Sequence, residues 1–330
     1  MKFLIIRFSS IGDIVLTTPV VRCLKQQVPG AEVHYLTKDR FRGIVETNPY
    51  IDKVFALEHS WELMIHELKE EKYDYIIDLH KNLRTLKVKK ALKVKSYSFN
   101  KLNIQKWLLT ALKVNVLPAI HIVDRYMETV KRFGVINDKR GLDYFIPEKD
   151  KVKDNDIPAQ HLFGYIGIVI GAAHNTKKLP TQKLKELCAQ IKYPVILLGG
   201  PEDKAAGDEI ASADDVKIYN ACGKFNLNES ADLVRKAKVI ITHDTGLMHI
   251  AAAFKKPVLS VWGNTVPSFG MTPYFGNSPI IDVRFEVEKL WCRPCSKIGY
   301  GKCPLGHFKC MNKHDIEQMA RVAVNCTQPG

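Results

Sequence analysis

Three short stretches gather residue types able to act on a charged substrate. In FSSIGDIVLTTP, Asp13 follows Gly12 directly behind an apolar run. A carboxylate on such a turn can act as a general base where it meets a substrate hydroxyl. The same residue can equally be a plain helix cap. Gly12 lets the backbone pass close to a ligand. In GAAHNTKKLP, Gly171 ends a second apolar run, and Lys177 and Lys178 precede Pro180. A lysine on a loop at a strand end is placed to meet a phosphate, although an isolated surface pair is the plainer reading. In VIITHDTGLMHIAAAF, Val239 to Thr242 deliver His243, Asp244, Thr245 and Gly246 ahead of an Ala-rich helical pattern. Such a helix start leaves backbone N–H groups without intrahelical partners, and its dipole favours an anion.

A fourth group is Cys292, Cys295, Cys303 and Cys310, within one short C-terminal stretch. Four thiols suffice for a tetrahedral structural zinc site, with His307 and His314 as substitutes. The short gaps depart from a zinc ribbon, so structural thiols or later disulfides stay open. G-x-G-x-x-G, Walker A and H-E-x-x-H patterns are all missing, which removes support for nicotinamide, P-loop and zinc-protease chemistry.

These residues need elements to place them. FLIIRF, EVHYL, KVFAL and YDYIIDL read as strands of a first half, and a helix is expected from about Thr18 to Gln27. YIGIVIGA, PVILLGG, KVIITHD and PVLSVWG read as strands of a second half. Helical patterns at Gln182–Ile191, Leu227–Lys236 and Asp315–Val324 follow or separate them. Repeated βα units imply parallel sheets covered on both faces. The polar stretch Pro147–Gln160 reads as a linker, giving domains 1–150 and 151–330. The expected class is α/β, with two Rossmann-like doubly wound domains facing across a cleft. Ligands of such sheets sit at the carboxyl ends of strands, where both SSIGD and HDTG fall.

The chain has 330 residues, 46% of them hydrophobic and 25% charged, enough for full cores. No apolar run nears the roughly 18 residues of a membrane span, and MKFLIIRFSS reads as a first strand, so a cytoplasmic protein is expected. The net charge of +14 is uneven. Between Leu79 and Val123 stand Lys81, Arg84, Lys87, Lys89, Lys90, Lys93, Lys95, Lys101, Lys106 and Lys113, with no acidic residue. That points to a polyanionic partner: nucleic acid, an anionic membrane surface or a phosphorylated lipid. Only Tyr97, Phe99 and Trp107 are interleaved as aromatics, fewer than a single-strand reader presents. Trp107, beside Lys106, fits either a membrane interface or a core.

Together these segments resemble glycosyltransferase family 9, the heptosyltransferases of lipopolysaccharide core synthesis. The resemblance runs from IIRFSSIGDIVLTTP through DLHKNLRT, GAAHNTKKLP, LLGGPED and ACGKFNLNESADLV to HDTGLMHIAAA and the terminal cysteines. It implies a GT-B fold and inverting sugar transfer from a nucleotide sugar, usually ADP-heptose, without a catalytic metal or other required cofactor. Asp13 matches the general base. Ser10, Gly12, His80 and Arg84 fall on the acceptor side, where an anionic lipid A or Kdo-type acceptor is implied. Lys177 matches the phosphate-contacting lysine and counts as catalytic. Gly171, Asp244, Thr245, Gly246, Leu247 and His249 fall on the donor side, with Asp244 orienting the loop or binding sugar hydroxyls. The implied place is the inner face of the inner membrane, peripherally bound, with no nucleic-acid partner. Leu179 and His243 depart from the family pattern. A basic nucleic-acid-binding protein with a cysteine metal site, or a family member using another nucleotide sugar, are the alternatives.

Overall fold

The computed structural model describes residues 1–57 and 60–328. It divides into two compact units, each built on a parallel sheet. The first comprises residues 1–101, 120–145 and 274–278, and the second 102–119, 146–273 and 279–330.

The first unit opens with β1 (Lys2–Ile6), the short α1 (Ile11–Val15) and α2 (Thr18–Gln27). Then come β2 (Glu32–Lys38), β3 (Lys53–Leu57), α3 (Trp61–Glu70), β4 (Tyr75–Asp78), α4 (Leu83–Leu92) and β5 (Lys95–Ser98). The segment that carries α5 (Asn103–Trp107) belongs to the second unit, and α6 (Ile122–Met127) returns to the first. The sheet order is β3-β2-β1-β4-β5, all parallel, with Ile5 of β1 opposite Tyr35 and Ile77. β1 is apolar on both faces because helices cover both. One face packs Leu4, Ile6, Leu36 and Ile76 against Met64, Ile65, Leu68 and Val88 of α3 and α4.

The second unit runs β6 (Ile166–Val169), α7 (Thr181–Gln190), β7 (Val195–Leu198), α8 (Lys204–Ala211) and β8 (Ile218–Asn220). It continues with α9 (Leu227–Lys236), β9 (Val239–His243), α10 (Gly246–Ala253), β10 (Val258–Trp262), β11 (Asp282–Glu286), α11 (Lys309–Asn312) and α12 (Ile316–Asn325). Its order is β11-β10-β9-β6-β7-β8. The expected amphipathic face of α12, namely Ile316, Met319, Ala320 and Ala323, is buried with Leu184 and Leu187 of α7.

Residues 147–160 form three short 3-10 turns laid along the second unit. Val152 N–H donates to buried Asp232 at 3.0 Å, and Asn228 Nδ2 donates to Asp150 at 2.8 Å. The stretch read as a linker is therefore docked by hydrogen bonds.

Strand order fixes where ligands go. In the first sheet the order reverses between β1 and β4, and in the second between β6 and β9. At such switch points the loops leave in opposite directions and open a crevice at the carboxyl ends. The loops there are Arg7–Asp13 and Asp78–Asn82 in one unit, and Gly171–Lys178 and Asp244–Gly246 in the other.

Candidate functional site

In the first unit, the loop after β1 folds Asp13 back onto Ser10. Ser10 Oγ donates to Asp13 Oδ2 at 2.8 Å, and Ser10 N–H donates to it at 3.2 Å. Asp13 thus caps α1, as the plainer reading of the sequence expected. It also pairs with Arg7, whose Nη2 lies 2.8 Å from Oδ1. Burial pushes the Asp13 pKa up, but the Arg7 charge and the two Ser10 bonds outweigh it, so the net shift is downward. The carboxylate stays ionised and its side chain remains 21% exposed. A charged, reachable acceptor oxygen is what a general base needs.

Arg7 was not singled out from the sequence. It is buried at the end of β1, and its guanidinium donates to Ser9 O, Leu79 O and Tyr126 Oη besides Asp13. Its only signal was a charge inside an apolar run. Gly12 has helical backbone in α1 and is buried. His80 stands edge-on to Phe8 at 5.6 Å, and Arg84 reaches over the same ring at 5.9 Å. Burial, then the Arg7 charge, pushes the His80 pKa down to about 4, so the imidazole is neutral at pH 7. Ser10, Gly12, Asp13, His80 and Arg84 therefore gather at one end of one sheet.

Their support is Asp78 at the end of β4. This fully buried carboxylate accepts from His80 N–H at 3.1 Å and Lys81 N–H at 2.6 Å, and pairs with Lys89 at 2.8 Å. Lys89 is thus spent on structure. Arg84, Lys87 and Lys90 of α4 remain exposed beside Leu83 and Leu86.

In the second unit, Lys177 Nζ donates to Asp244 Oδ2 at 2.6 Å and to Asp244 O at 3.2 Å. The neighbouring lysine goes elsewhere: Lys178 pairs with Asp203 at 2.6 Å. A Cβ on Gly171 would collide with that Asp203 carboxylate, which explains glycine there. Of the two lysines only Lys177 reaches the Asp-Thr-Gly turn. Thr265 Oγ1 also donates to Asp244 Oδ2, at 3.0 Å. Thr245 is the N-cap of α10 with extended backbone and makes no side-chain cap bond, so it leaves the first-turn amides at Gly246 and Leu247 uncapped. His249 is 3% exposed, packed inside the unit.

The two departures from the family pattern meet each other. Leu179 N–H donates to His243 Nε2 at 2.9 Å, and both residues are buried. Burial pushes the His243 pKa down to about 4, which keeps Nε2 an acceptor.

The structural zinc expected at Cys292, Cys295, Cys303 and Cys310 stays a proposal. Tetrahedral coordination at about 2.3 Å gathers thiolates to within about 4 Å of one another. Among the described residues, the one set of three or more His, Cys, Asp or Glu ligand atoms lying within 4.8 Å is Glu32, His34 and Glu71. There Lys2 and Lys53 already pair with Glu71, at 2.9 and 2.5 Å, and hold its pKa down to about 2. Cys292 Sγ stands 3.8 Å from His307 Nε2, and Cys295 Sγ donates to Cys292 O at 3.1 Å.

Two doubly wound parallel sheets with loops of this kind at both switch points define the GT-B class of glycosyltransferases. The profile of glycosyltransferase family 9 (heptosyltransferase) matches residues 61–299, and the chain belongs to that family. It is a glycosyltransferase. The lipooligosaccharide heptosyltransferase 2 of Haemophilus influenzae is 25% identical over 324 residues, covering 91% of this chain and 93% of that protein. Among solved structures, a glycosyl transferase family 9 protein of Veillonella parvula superposes with a TM-score of 0.75 at 21% identity, over 99% of this chain and 97% of that one. The ADP-heptose lipopolysaccharide heptosyltransferase II of Escherichia coli gives 0.70 at 21% identity, over 97% and 100%.

Proposed function

We propose that this protein is an inverting, metal-independent heptosyltransferase that moves heptose from ADP-heptose to the inner core of a lipopolysaccharide or lipid A precursor. The observation that carries the reading is the Lys177–Asp244 pair, which sets one lysine over the Asp-Thr-Gly turn. Asp13 takes the proton of the acceptor hydroxyl as its oxygen attacks the anomeric carbon. The bond from that carbon to the diphosphate breaks, through a transition state of oxocarbenium character. Negative charge then develops on the diphosphate, and Lys177 with the Thr245, Gly246 and Leu247 amides stabilises it. A lysine so placed supplies the fixed cation that a metal would otherwise provide. Asp244 orients the turn and accepts from sugar hydroxyls. Ser10, His80 and Arg84 receive the acceptor, Arg84 meeting its phosphates or carboxylates. The similarity to heptosyltransferases, among them the ADP-heptose enzyme of Escherichia coli, supports the donor.

The same reading places the protein peripherally on the inner membrane face. No helix among the described residues is long and apolar enough to cross a membrane. Trp107 is 53% exposed and Ile104 is 72% exposed, which supports an interfacial role over a core one.

Thermal denaturation with ADP, UDP, GDP or CMP tests the donor. A ligand at a hundred times its dissociation constant stabilises by about 2.7 kcal/mol. A shift with ADP alone is expected, and transfer of heptose to a Kdo-bearing lipid A acceptor follows. A shift with UDP or GDP alone overturns ADP-heptose as donor.

A further inference from the structure

Cys292, Cys295 and Cys303 lie in a long stretch between β11 and α11 that has almost no regular structure, and Cys310 follows inside α11. The polar groups of that stretch are aimed at the two loops of the donor cluster. Arg293 donates from Nε to Gly263 O and from Nη2 to Thr265 O at 3.0 Å, and its side chain is only 8% exposed. Cys295 N–H donates to Asn264 O at 3.1 Å. Three consecutive residues of the loop after β10 are thereby held by this stretch. Thr265, the last of them, is the residue whose hydroxyl donates to Asp244.

The second loop is held as firmly. Thr176 N–H donates to Tyr300 O at 3.1 Å, Thr176 Oγ1 donates to the same oxygen at 3.0 Å, and Tyr300 N–H donates back to Oγ1 at 2.7 Å. Thr176 is 2% exposed and adjoins Lys177. Tyr300 Oη in turn donates to Cys295 O at 3.2 Å, closing the stretch on itself. Lys113 Nζ braces it from outside by donating to Pro294 O at 2.7 Å.

We infer that residues 292–300 are a positioning strap for the donor cluster, with Arg293 and Thr176 as its two clasps. The strap sets Lys177 and Asp244 at their working separation without touching the substrate. It fixes one loop through Arg293, Thr265 and Asp244, and the other through Tyr300, Thr176 and Lys177. Lys177 otherwise sits in a single 3-10 turn, Asn175–Lys177, too short to hold a long side chain in one place.

The inference rests on the donor role given above to Lys177, and the experiment separates the two. ADP affinity is measured by calorimetry for Lys177→Met, Arg293→Met, Thr176→Val and Thr176→Ser. Leu187→Ala, a core change away from the strap, serves as a control for lost stability. Kinetics with sugar donor and lipid acceptor run alongside. Lys177→Met is expected to weaken ADP; if it does not, the donor reading falls and the strap with it. Arg293→Met and Thr176→Val are each expected to weaken ADP about tenfold and to raise the donor KM while leaving the acceptor KM in place, since each removes buried hydrogen bonds that orient the cluster. Thr176→Ser keeps the hydroxyl and is expected to restore affinity. Leu187→Ala is expected to lower the melting temperature with ADP affinity unchanged. If Lys177→Met weakens ADP while folded Arg293→Met and Thr176→Val bind it within twofold of the parent, the strap is overturned and the donor reading stands. It is also overturned if Leu187→Ala weakens ADP as much as they do.

Discussion

Replacing Asp13 by Asn removes one proton-accepting oxygen and almost nothing else of its size. The Asn carbonyl can still accept from Ser10 N–H and Oγ, as Oδ2 does now. Its amide then faces Arg7 Nη2, where two donors oppose each other in place of an ion pair of 2.8 Å. Breaking a buried pair costs about 3–5 kcal/mol, and the 21% exposure of Asp13 lets water recover part of that. A loss of about 2–3 kcal/mol is expected, or roughly 3–4 °C in melting temperature at about 2.1 cal/mol/K per residue over 330 residues. Transfer falls much further, because a positioned general base contributes about 10²–10⁴-fold. That is about 2.7–5.5 kcal/mol of transition-state stabilisation. ADP affinity stays within twofold, since no donor residue is touched. The assay is transfer of radiolabelled sugar at a temperature where the variant is folded, with calorimetry for ADP. The pH profile adds a check. The folded-state pKa of Asp13 is lowered, so its stabilising effect is complete above the unfolded carboxylate value of about 3.9 and is lost only as pH falls through the folded value. The carboxylate is then ionised throughout pH 5–8, and no acid limb in that window belongs to it. A variant that keeps a tenth of parental turnover refutes the base assignment.

Asp244→Asn keeps an acceptor for Thr265 but frees Lys177 from a full charge at 2.6 Å, so ADP is expected to bind severalfold more tightly, while transfer drops because the sugar hydroxyls lose a charged acceptor; weaker ADP binding by calorimetry would contradict this. Trp107→Ser, at a half-exposed position, is expected to leave the melting temperature within 1–2 °C but to lower co-sedimentation with phosphatidylglycerol vesicles. Equal sedimentation of variant and parent removes Trp107 from the membrane surface. Dialysis against EDTA is expected to leave turnover unchanged, because the proposed cation at the leaving group is Lys177 and not a metal. A fall in turnover reversed by magnesium or manganese would overturn that role.

The interior of both sheets could be read from sequence because its physics is local. FLIIRF, YIGIVIGA and KVIITHD are short apolar runs closed by polar residues, the pattern of a strand buried on both faces. The strands left unread, β5, β8 and β11, all lie at sheet edges, where one side has no neighbour. Their sequences KSYS, IYN and DVRFE mix polar and apolar residues accordingly. The site divides the same way. Asp13, Lys177 and the Asp-Thr-Gly turn were visible because each sits at a strand end, one residue type against an apolar background. Arg7 was not, since its burial depends on Leu79, Tyr126 and Asp13 arriving from three separate stretches. Residue type alone did not separate Lys177 from Lys178; the family resemblance chose Lys177, and the two differ in reaching Asp244 or Asp203.

In the donor site proposed above, the Lys177–Asp244 pair sets the terms on which a diphosphate binds. An ammonium already neutralised at 2.6 Å attracts an anion less than a free one, so part of the binding energy is given up to hold the lysine still. The return is orientation. Lysine is a point charge on a long stem, and an unpaired one spreads over many rotamers. Asp244 holds it to the turn where the α10 amides also point. On that proposal the diphosphate competes with Asp244 Oδ2 for the ammonium, and the carboxylate oxygen so released accepts from the hydroxyls of the sugar. That exchange gives the carboxylate two partners in succession, cation and sugar, and accounts for an acidic residue standing in an anion site.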